Sequence, residues 1–234
     1  QVISEWGLSG VKALFDRADA FVVVDVLSFS TCVDVACSNG AHVFPFPFQD
    51  REAAQQEADR RNAELAGKRL DKTARFSLSA PTLQNIPEGT RLVLPSPNGS
   101  HISFAAKGKP VFAGCLRNAA AVAEEAMNMV GVGILAVIPA GERWQDGSLR
   151  PAIEDLIGAG AVISALTGSL SPEAIVARDV FHSARPDLFD RLMHSVSGVE
   201  LCERGFPQDV EIAAALNVST CAPILRQDVY TTAR

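Results

Sequence analysis

The chain has 234 residues, 47% of them hydrophobic, a formal net charge of −6 at pH 7 and a mean hydropathy of +0.14. This length and apolar content provide a sizeable buried core and exclude a mainly disordered chain. The acidic balance, with no basic run interleaved with aromatic residues, argues against nucleic acid as a partner.

Five cysteines lie in apolar segments without a CxxC pair or a metal-type spacing. This usage predicts reduced thiols and a cytoplasmic protein. No signal peptide is visible, and no apolar run is long enough to cross a membrane, so no membrane partner is expected. A homodimer is expected on the general ground that symmetric dimers are the commonest oligomers.

Short apolar strands alternate with helical patterns along the first 140 residues. The alternation predicts an α/β fold, a three-layer α/β/α sandwich with a largely parallel central sheet. Strands are expected at 20–26, 42–46, 91–94, 111–113 and 132–138, and helices at 30–38, 51–65, 100–106 and 118–128.

Beyond residue 139 the sequence is mostly helical. Helices are expected at 152–166, 172–182, 186–194 and 209–216, with late strand pieces at 222–225 and 229–230. The irregular segment 68–87 is expected to form a long loop near the site. No linker rich in Pro, Gly or Ser interrupts the chain, which favours one domain over 1–234 with its C-terminal helices packed on the sheet.

The first candidate site follows the apolar run that ends at Asp25. A charge is costly at a buried strand end unless something there requires it, and ligands of open α/β sheets bind at the carboxyl ends of strands. A carboxylate there suits Mg²⁺, and Ser28, Ser30 and Thr31 at the next helix suit a phosphate. The alternative for Ser30 is a simple helix cap.

A second candidate, Asn98-Gly99-Ser100, follows the strand at 91–94 and is expected to point in the same direction as Asp25. Its local pattern alone favours an ordinary turn with a helix cap, and its position at a second strand end is what makes it a candidate. A third is Arg117 with Asn118, after the strand at 111–113. Arg117 is either a fork for phosphate or sulfonate oxygens or a solvent-facing residue at a helix start.

The fourth candidate is the polar, glycine-rich stretch that includes Gly141 and Glu142, which leads to the acidic pair Glu154 and Asp155. Acidic residues in a first helical turn often only complement the helix dipole. Beside a buried helix, such a pair is also a source of metal ligands.

Other chemistries lack a motif. The four histidines have no metal-like spacing, and there is no GxSxG, GxGxxG or GxxxxGK[ST] sequence. A phosphatase of the haloacid-dehalogenase type with Asp25 as nucleophile is disfavoured because Leu27 stands where a second Asp is needed.

Taken in order, these segments resemble the 2-phosphosulfolactate phosphatase family, named for an enzyme of coenzyme M biosynthesis. The resemblance spans nearly the whole chain. It is carried by Val23-Val24-Asp25-Val26-Leu27 with Ser30-Thr31, Asn98-Gly99-Ser100, Ala113-Gly114 with Asn118, Ala140-Gly141-Glu142, Glu154-Asp155 with Gly158-Ala159-Gly160-Ala161, and Ser197-Gly198, Leu201, Gly205-Phe206 and Asp209-Val210.

The resemblance implies an α/β/α fold and a Mg²⁺-dependent phosphoric monoester hydrolase that converts 2-phosphosulfolactate to sulfolactate and phosphate. It makes Asp25, Glu154 and Asp155 candidate catalytic residues and Mg²⁺ ligands. The candidate groups that hold the small anionic phosphorylated substrate are Ser28, Ser30, Thr31, Asn98, Gly99, Ser100, Arg117, Asn118, Gly141 and Glu142.

The chain departs from the family pattern, which carries Arg at the positions of Ser28 and Val199. A lost fixed charge beside a dianionic substrate weakens binding unless another arginine compensates, and Arg117, Arg143 and Arg150 are the candidates. Two alternatives therefore stay open: a phosphatase of a different phosphorylated hydroxy acid, and a non-catalytic metabolite-binding homologue.

Overall fold

The structure is a computed structural model that describes residues 1–47, 50–71 and 73–233. Within these ranges, nine strands form the central sheet in the order β1-β7-β2-β6-β10-β11-β3-β5-β4, and β8 and β9 pair separately. The strands are β1 (Val2–Ser4), β2 (Ala20–Val24), β3 (His42–Pro47), β4 (Glu64–Leu65), β5 (Arg91–Ser96), β6 (Val111–Gly114), β7 (Leu135–Pro139), β8 (Glu142–Arg143), β9 (Leu149–Arg150), β10 (Pro223–Arg226) and β11 (Val229–Thr232).

Two parallel groups make up most of the sheet. One is β1-β7-β2-β6 and the other is β3-β5-β4, with the antiparallel hairpin β10–β11 between them. The hairpin pairs antiparallel with both β6 and β3. Three antiparallel pairings lie between β2 and β5, so β5 is opposite to β2 in pairing sense, contrary to the expectation from the sequence. The residues that follow the two strands nevertheless meet, since Gly99 N donates to Asp25 Oδ2.

Helices cover both faces of the sheet and form the C-terminal part. They are α1 (Gly7–Leu14), α2 (Phe29–Ser38), α3 (Arg51–Arg61), α4 (Gly99–Ala105), α5 (Ala119–Val130), α6 (Ile153–Ser164), α7 (Pro172–Ala184), α8 (Leu188–Met193), α9 (Val196–Glu203) and α10 (Pro207–Ala213), with short 3₁₀ helices at Ala80–Leu83 and Arg185–Asp187. No helix in the described part of the chain is long and apolar enough to span a bilayer.

Strand β2 shows why the sequence forms three layers. Val22 and Val24 pack into one hydrophobic cluster with α5, α6 and α7, while Phe21 and Val23 pack into the opposite cluster with α1 and α2. A strand buried on both faces needs an unbroken apolar run, and this one has it. The predicted sandwich and its largely parallel sheet are confirmed.

Several predicted boundaries are wrong. The helix expected at 51–65 ends at Arg61, because Asn62 adopts a left-handed φ of 47° and closes the helix end with its backbone N–H. The following residues pair with β5 as the edge strand β4. The helix expected at 186–194 is a 3₁₀ turn followed by α8, and the sequence pattern gave no prediction for β1, α1 and α9.

Candidate active site

Asp25 follows β2 and joins the beginnings of two helices. Its Oδ1 accepts a hydrogen bond from Phe29 N (3.0 Å) in α2, and its Oδ2 accepts one from Gly99 N (2.9 Å) in α4. Both contacts stabilise the carboxylate, because backbone N–H groups and helix dipoles favour negative charge at helix N-termini. The carboxylate is 7% exposed and lies at the wall of a cavity.

A glycine at 99 is required by this contact. A Cβ on Gly99 would lie 2.3 Å from Phe29 Cδ1 and 2.8 Å from Asp25 Oδ2, far closer than atoms approach. The absence of a side chain therefore lets the start of α4 approach the carboxylate.

Asp155, in the first turn of α6, ties together two loops at the ends of neighbouring strands. Its Oδ1 accepts from Val26 N (2.7 Å) after β2, and its Oδ2 accepts from Gly141 N (2.8 Å) after β7. Its neighbour Glu154 is 2% exposed. Asp155 therefore holds the loops that shape the cavity, and the structure brings Glu154 and Asp155 to the same region as Asp25.

Asn98 links the α4 entrance to the loop after β7. Its Nδ2 donates to Glu142 Oε2 (2.8 Å), and its Oδ1 accepts from Arg143 Nε (3.3 Å). Both amide atoms are thus engaged, and Glu142 is held over the cavity beside a fixed guanidinium.

These elements enclose a cavity of about 510 Å³. Three carboxylates and four arginines lie in its wall, so negative and positive groups face the same space. The lining residues are Asp25, Leu27, Ser28, Arg69, Leu78, Ser96, Pro97, Asn98, Glu142, Arg143, Trp144, Gln145, Arg150, Val196, Glu200 and Arg204.

The carboxyl groups perturb one another. Burial, followed by smaller contributions that include the charge of Glu154, raises the pKa of Asp25. Burial and the charges of Asp25 and Glu154 raise the pKa of Asp155 well above its usual value. Burial, and then the charge of Asp25, raises the pKa of Glu142 to about 7. The region thus concentrates negative charge in a poorly solvated place, which a bound cation would neutralise.

The donor chemistry fits magnesium. Among the described residues, no group of three or more His, Cys, Asp or Glu side chains is arranged to hold a metal ion. Mg²⁺ typically uses only one or two carboxylates and completes its shell with water and substrate phosphate oxygens. Of the predicted ligands Asp25, Glu154 and Asp155, Asp25 is the one that lines the cavity. Glu142, predicted as a substrate group, also lines it, and these two would supply the carboxylates.

Three predicted hydroxyls serve the turns instead of the cavity. Ser30 Oγ accepts from Asp25 N (2.8 Å) and donates to Val23 O, Thr31 Oγ1 donates to Val26 O (2.8 Å), and Ser100 Oγ donates to Leu94 O (3.2 Å). Their contacts fix the backbone on either side of Asp25 and before α4. Of the predicted serines and threonine, Ser28 is the one that lines the cavity.

The structure does not bring Arg117 and Asn118 to the cavity, which corrects the expectation that they hold the substrate. Arg117 Nε donates to Asp34 Oδ2 (2.8 Å), whose side chain is fully buried and also accepts from Ser219 Oγ. Asn118 closes its own turn, since its Oδ1 accepts from Cys115 N and its Nδ2 donates to a backbone carbonyl. Both residues hold the chain together next to the site.

Sequence reasoning missed Arg69, which lies in the irregular segment 68–87. Its Nη2 donates to Ser28 Oγ, and its side chain lines the cavity. The sequence analysis expected this segment to lie near the site. Nothing in its local pattern distinguished Arg69 from the other basic residues of the segment.

A cavity that combines buried carboxylates with arginines suits a class of protein that binds a small anion. Comparison with known proteins names the family. The profile described as 2-phosphosulpholactate phosphatase matches residues 11–228. The chain therefore belongs to this family, which places it among the phosphoric monoester hydrolases.

Individual relatives are similar over nearly their whole length. A protein of Methanothermobacter thermautotrophicus named 2-phosphosulfolactate phosphatase is 31% identical over 220 residues, 92% of this chain and 92% of the relative. Proteins named probable 2-phosphosulfolactate phosphatase are 28% identical in Pseudothermotoga lettingae, over 89% of this chain and 90% of the relative, and 31% identical in Carboxydothermus hydrogenoformans, over 87% and 85%.

Proposed function

We propose that this chain is a Mg²⁺-dependent phosphatase that hydrolyses the phosphate monoester of a small acidic 2-hydroxy acid, with 2-phosphosulfolactate as the substrate named by its family. The observation that carries the proposal is the cavity at Asp25, where buried carboxylates face arginines. Family membership supplies the reaction class, and the arrangement of charges supports it.

The chain's own groups have separate tasks in this reaction. Arginines bind and neutralise the oxyanions of the substrate, which supplies much of the catalysis in phosphoryl transfer. Asp25 is fixed by two backbone N–H groups, and Asn98 orients Glu142. Magnesium, held by Asp25 and Glu142, would neutralise phosphate charge and lower the pKa of water.

Glu142 carries the charge that a bound cation would relieve. It lines the cavity, is oriented by Asn98 Nδ2 and, without metal, has a pKa raised to about 7 by burial and by the charge of Asp25. A magnesium ion held beside it would keep this carboxylate ionised near neutral pH. Asp155 does not line the cavity and has both oxygens on backbone N–H groups, so we assign it to positioning, and Glu154 adds negative charge beside it.

The test is Asp25→Asn. The amide of this variant retains one oxygen acceptor for the two backbone N–H groups but loses the charge, so phosphate release from 2-phosphosulfolactate and from other phosphorylated 2-hydroxy acids with Mg²⁺ should fall to background while unfolding stays cooperative. Asp19→Asn is a matched control, because Asp19 precedes β2 and its Oδ2 accepts from Ile134 N outside the cavity. Turnover by the Asp25 variant near the wild-type rate would contradict the assignment.

The same panel separates the alternatives. Release of phosphate from another hydroxy acid ester but not from 2-phosphosulfolactate would identify a changed substrate. Thermal stabilisation by the panel without any phosphate release would identify a non-catalytic binding protein. The single domain over 1–234, the homodimer and the cytoplasmic location stay predictions.

A further inference from the structure

Arg69 reaches across the cavity to the loop that carries Asp25. Its Nη2 donates to Ser28 Oγ, and its side chain is 19% exposed. The guanidinium is close enough to Asp25 for its positive charge to act on that carboxylate. A permanent cation is therefore delivered from a distant loop to a position three residues beyond Asp25.

The protein partners of Arg69 leave much of its binding capacity unused. A guanidinium carries five N–H donors. Its Nε has no hydrogen-bond partner among the described residues, and it forms an ion pair with Asp209 Oδ1 at 3.8 Å, beyond hydrogen-bond distance. Asp209 is committed elsewhere, since Oδ2 accepts from Ser79 Oγ (2.7 Å) and Oδ1 from Ala80 N (3.1 Å).

Two other arginines of the cavity also contact groups of the protein. Arg143 donates to Asn98 Oδ1 (3.3 Å), and Arg150 contacts Ser197 Oγ (3.4 Å) and the carboxylate of Glu200 (3.5 Å). Within the described part of the chain, Arg69 has only a neutral hydroxyl as its hydrogen-bonded partner. A largely buried cation whose hydrogen-bonded partner is neutral still gains from a bound anion, because that hydrogen bond does not neutralise its charge.

We propose that Arg69 binds an oxyanion of the substrate and that Ser28 positions its guanidinium. The small side chain of Ser28 is part of this arrangement. It is 4% exposed in the cavity wall, and an arginine at 28 would extend into the space that the tip of Arg69 occupies. The guanidinium at this place is thus supplied from residue 69. The identity of the bound anion as a substrate rests on the proposed function. Binding of an anion by Arg69 does not depend on that function.

Calorimetric titration tests the site without turnover. Inorganic phosphate and sulfolactate are the two probes, because the oxyanion belongs either to the phosphoryl group or to the acidic part of the alcohol. Arg69→Gln should weaken binding of at least one probe by about tenfold to a hundredfold, as expected for lost charge-assisted hydrogen bonds. The double variant Ser28→Arg with Arg69→Gln should recover a large part of the loss.

Arg75→Gln is the matched control, since Arg75 lies in the same segment and pairs with Glu64 at the surface. Thermal unfolding of each variant excludes a general loss of structure, and Arg69→Lys should bind with intermediate affinity because it keeps the charge but loses the fork. Weaker phosphate binding assigns Arg69 to the phosphoryl group, and weaker sulfolactate binding assigns it to the acid group of the alcohol. Wild-type affinity of folded Arg69→Gln for both probes would overturn the proposal, whether or not the protein proves to be a phosphatase.

Discussion

Replacing Glu142 by Gln should stabilise the metal-free protein at alkaline pH. Burial and the charge of Asp25 raise the pKa of Glu142 from 4.5 to about 7. Between these values the folded protein retains a proton that the unfolded chain has released, so stability falls as the pH rises through this interval. The full effect corresponds to about 3 kcal/mol above pH 7. Gln removes the charge and keeps an oxygen for the hydrogen bond from Asn98 Nδ2.

Urea denaturation in EDTA at several pH values measures the difference. Near pH 4 the two proteins should be about equally stable, and near pH 8 the Gln variant should be more stable by up to about 3 kcal/mol. Adding Mg²⁺ at alkaline pH should stabilise the wild type more than the variant, because the ion neutralises the Glu142 carboxylate. Stability curves that run parallel across the whole pH range would refute the claim that Glu142 is held as a strained, buried charge.

Two further substitutions separate structure from catalysis. Arg117→Met should cost about 3–5 kcal/mol, because it leaves the fully buried carboxylate of Asp34 without its cation, yet kcat per folded molecule should stay near wild type. Loss of turnover in a fully folded Arg117 variant would instead support the original prediction that Arg117 binds the substrate. Gly99→Ala should cost about 1–3 kcal/mol and lower kcat, since the added Cβ would lie 2.3 Å from Phe29 Cδ1 and 2.8 Å from Asp25 Oδ2. Unfolding curves and phosphate-release rates measure both effects, and an unchanged kcat would show that the position of Asp25 tolerates the shift.

The sheet was predictable because its strands are short apolar runs between turns. The strands at β2, β3, β5 and β6 begin where the sequence predicts them, and the late pieces at 222–225 and 229–230 form the β10–β11 hairpin. The order of strands was not predictable, since pairing depends on contacts between residues that are distant in the chain. The end of α3 was missed because Glu64 and Leu65 suit a helix by local propensity, whereas pairing with β5 stabilises them as a strand.

The candidate site was predictable in its acidic part and not in its basic part. A charge at the end of a buried strand has few structural explanations, which is why Asp25 stands out from the sequence. An arginine is common on protein surfaces, so Arg117 and Arg69 look alike until their partners are known. The structure gives Arg117 a buried carboxylate and Arg69 a neutral serine in the cavity. A motif can lack its usual arginine, as this chain does at Ser28, while another part of the chain supplies a positive charge to the same site. The missing arginine is therefore not evidence that the site lacks a positive charge.

The hairpin β10–β11 has a consequence for biosynthesis. It lies between the two parallel groups of the sheet, one of which carries Asp25 while the other leads into Asn98 and Gly99. A nascent polypeptide on the ribosome lacks this connecting piece until residues 223–232 have emerged. Until then the strands β6 and β3 at the facing edges of the two groups have no partner on that side. The complete active site therefore forms only after this stretch has been translated.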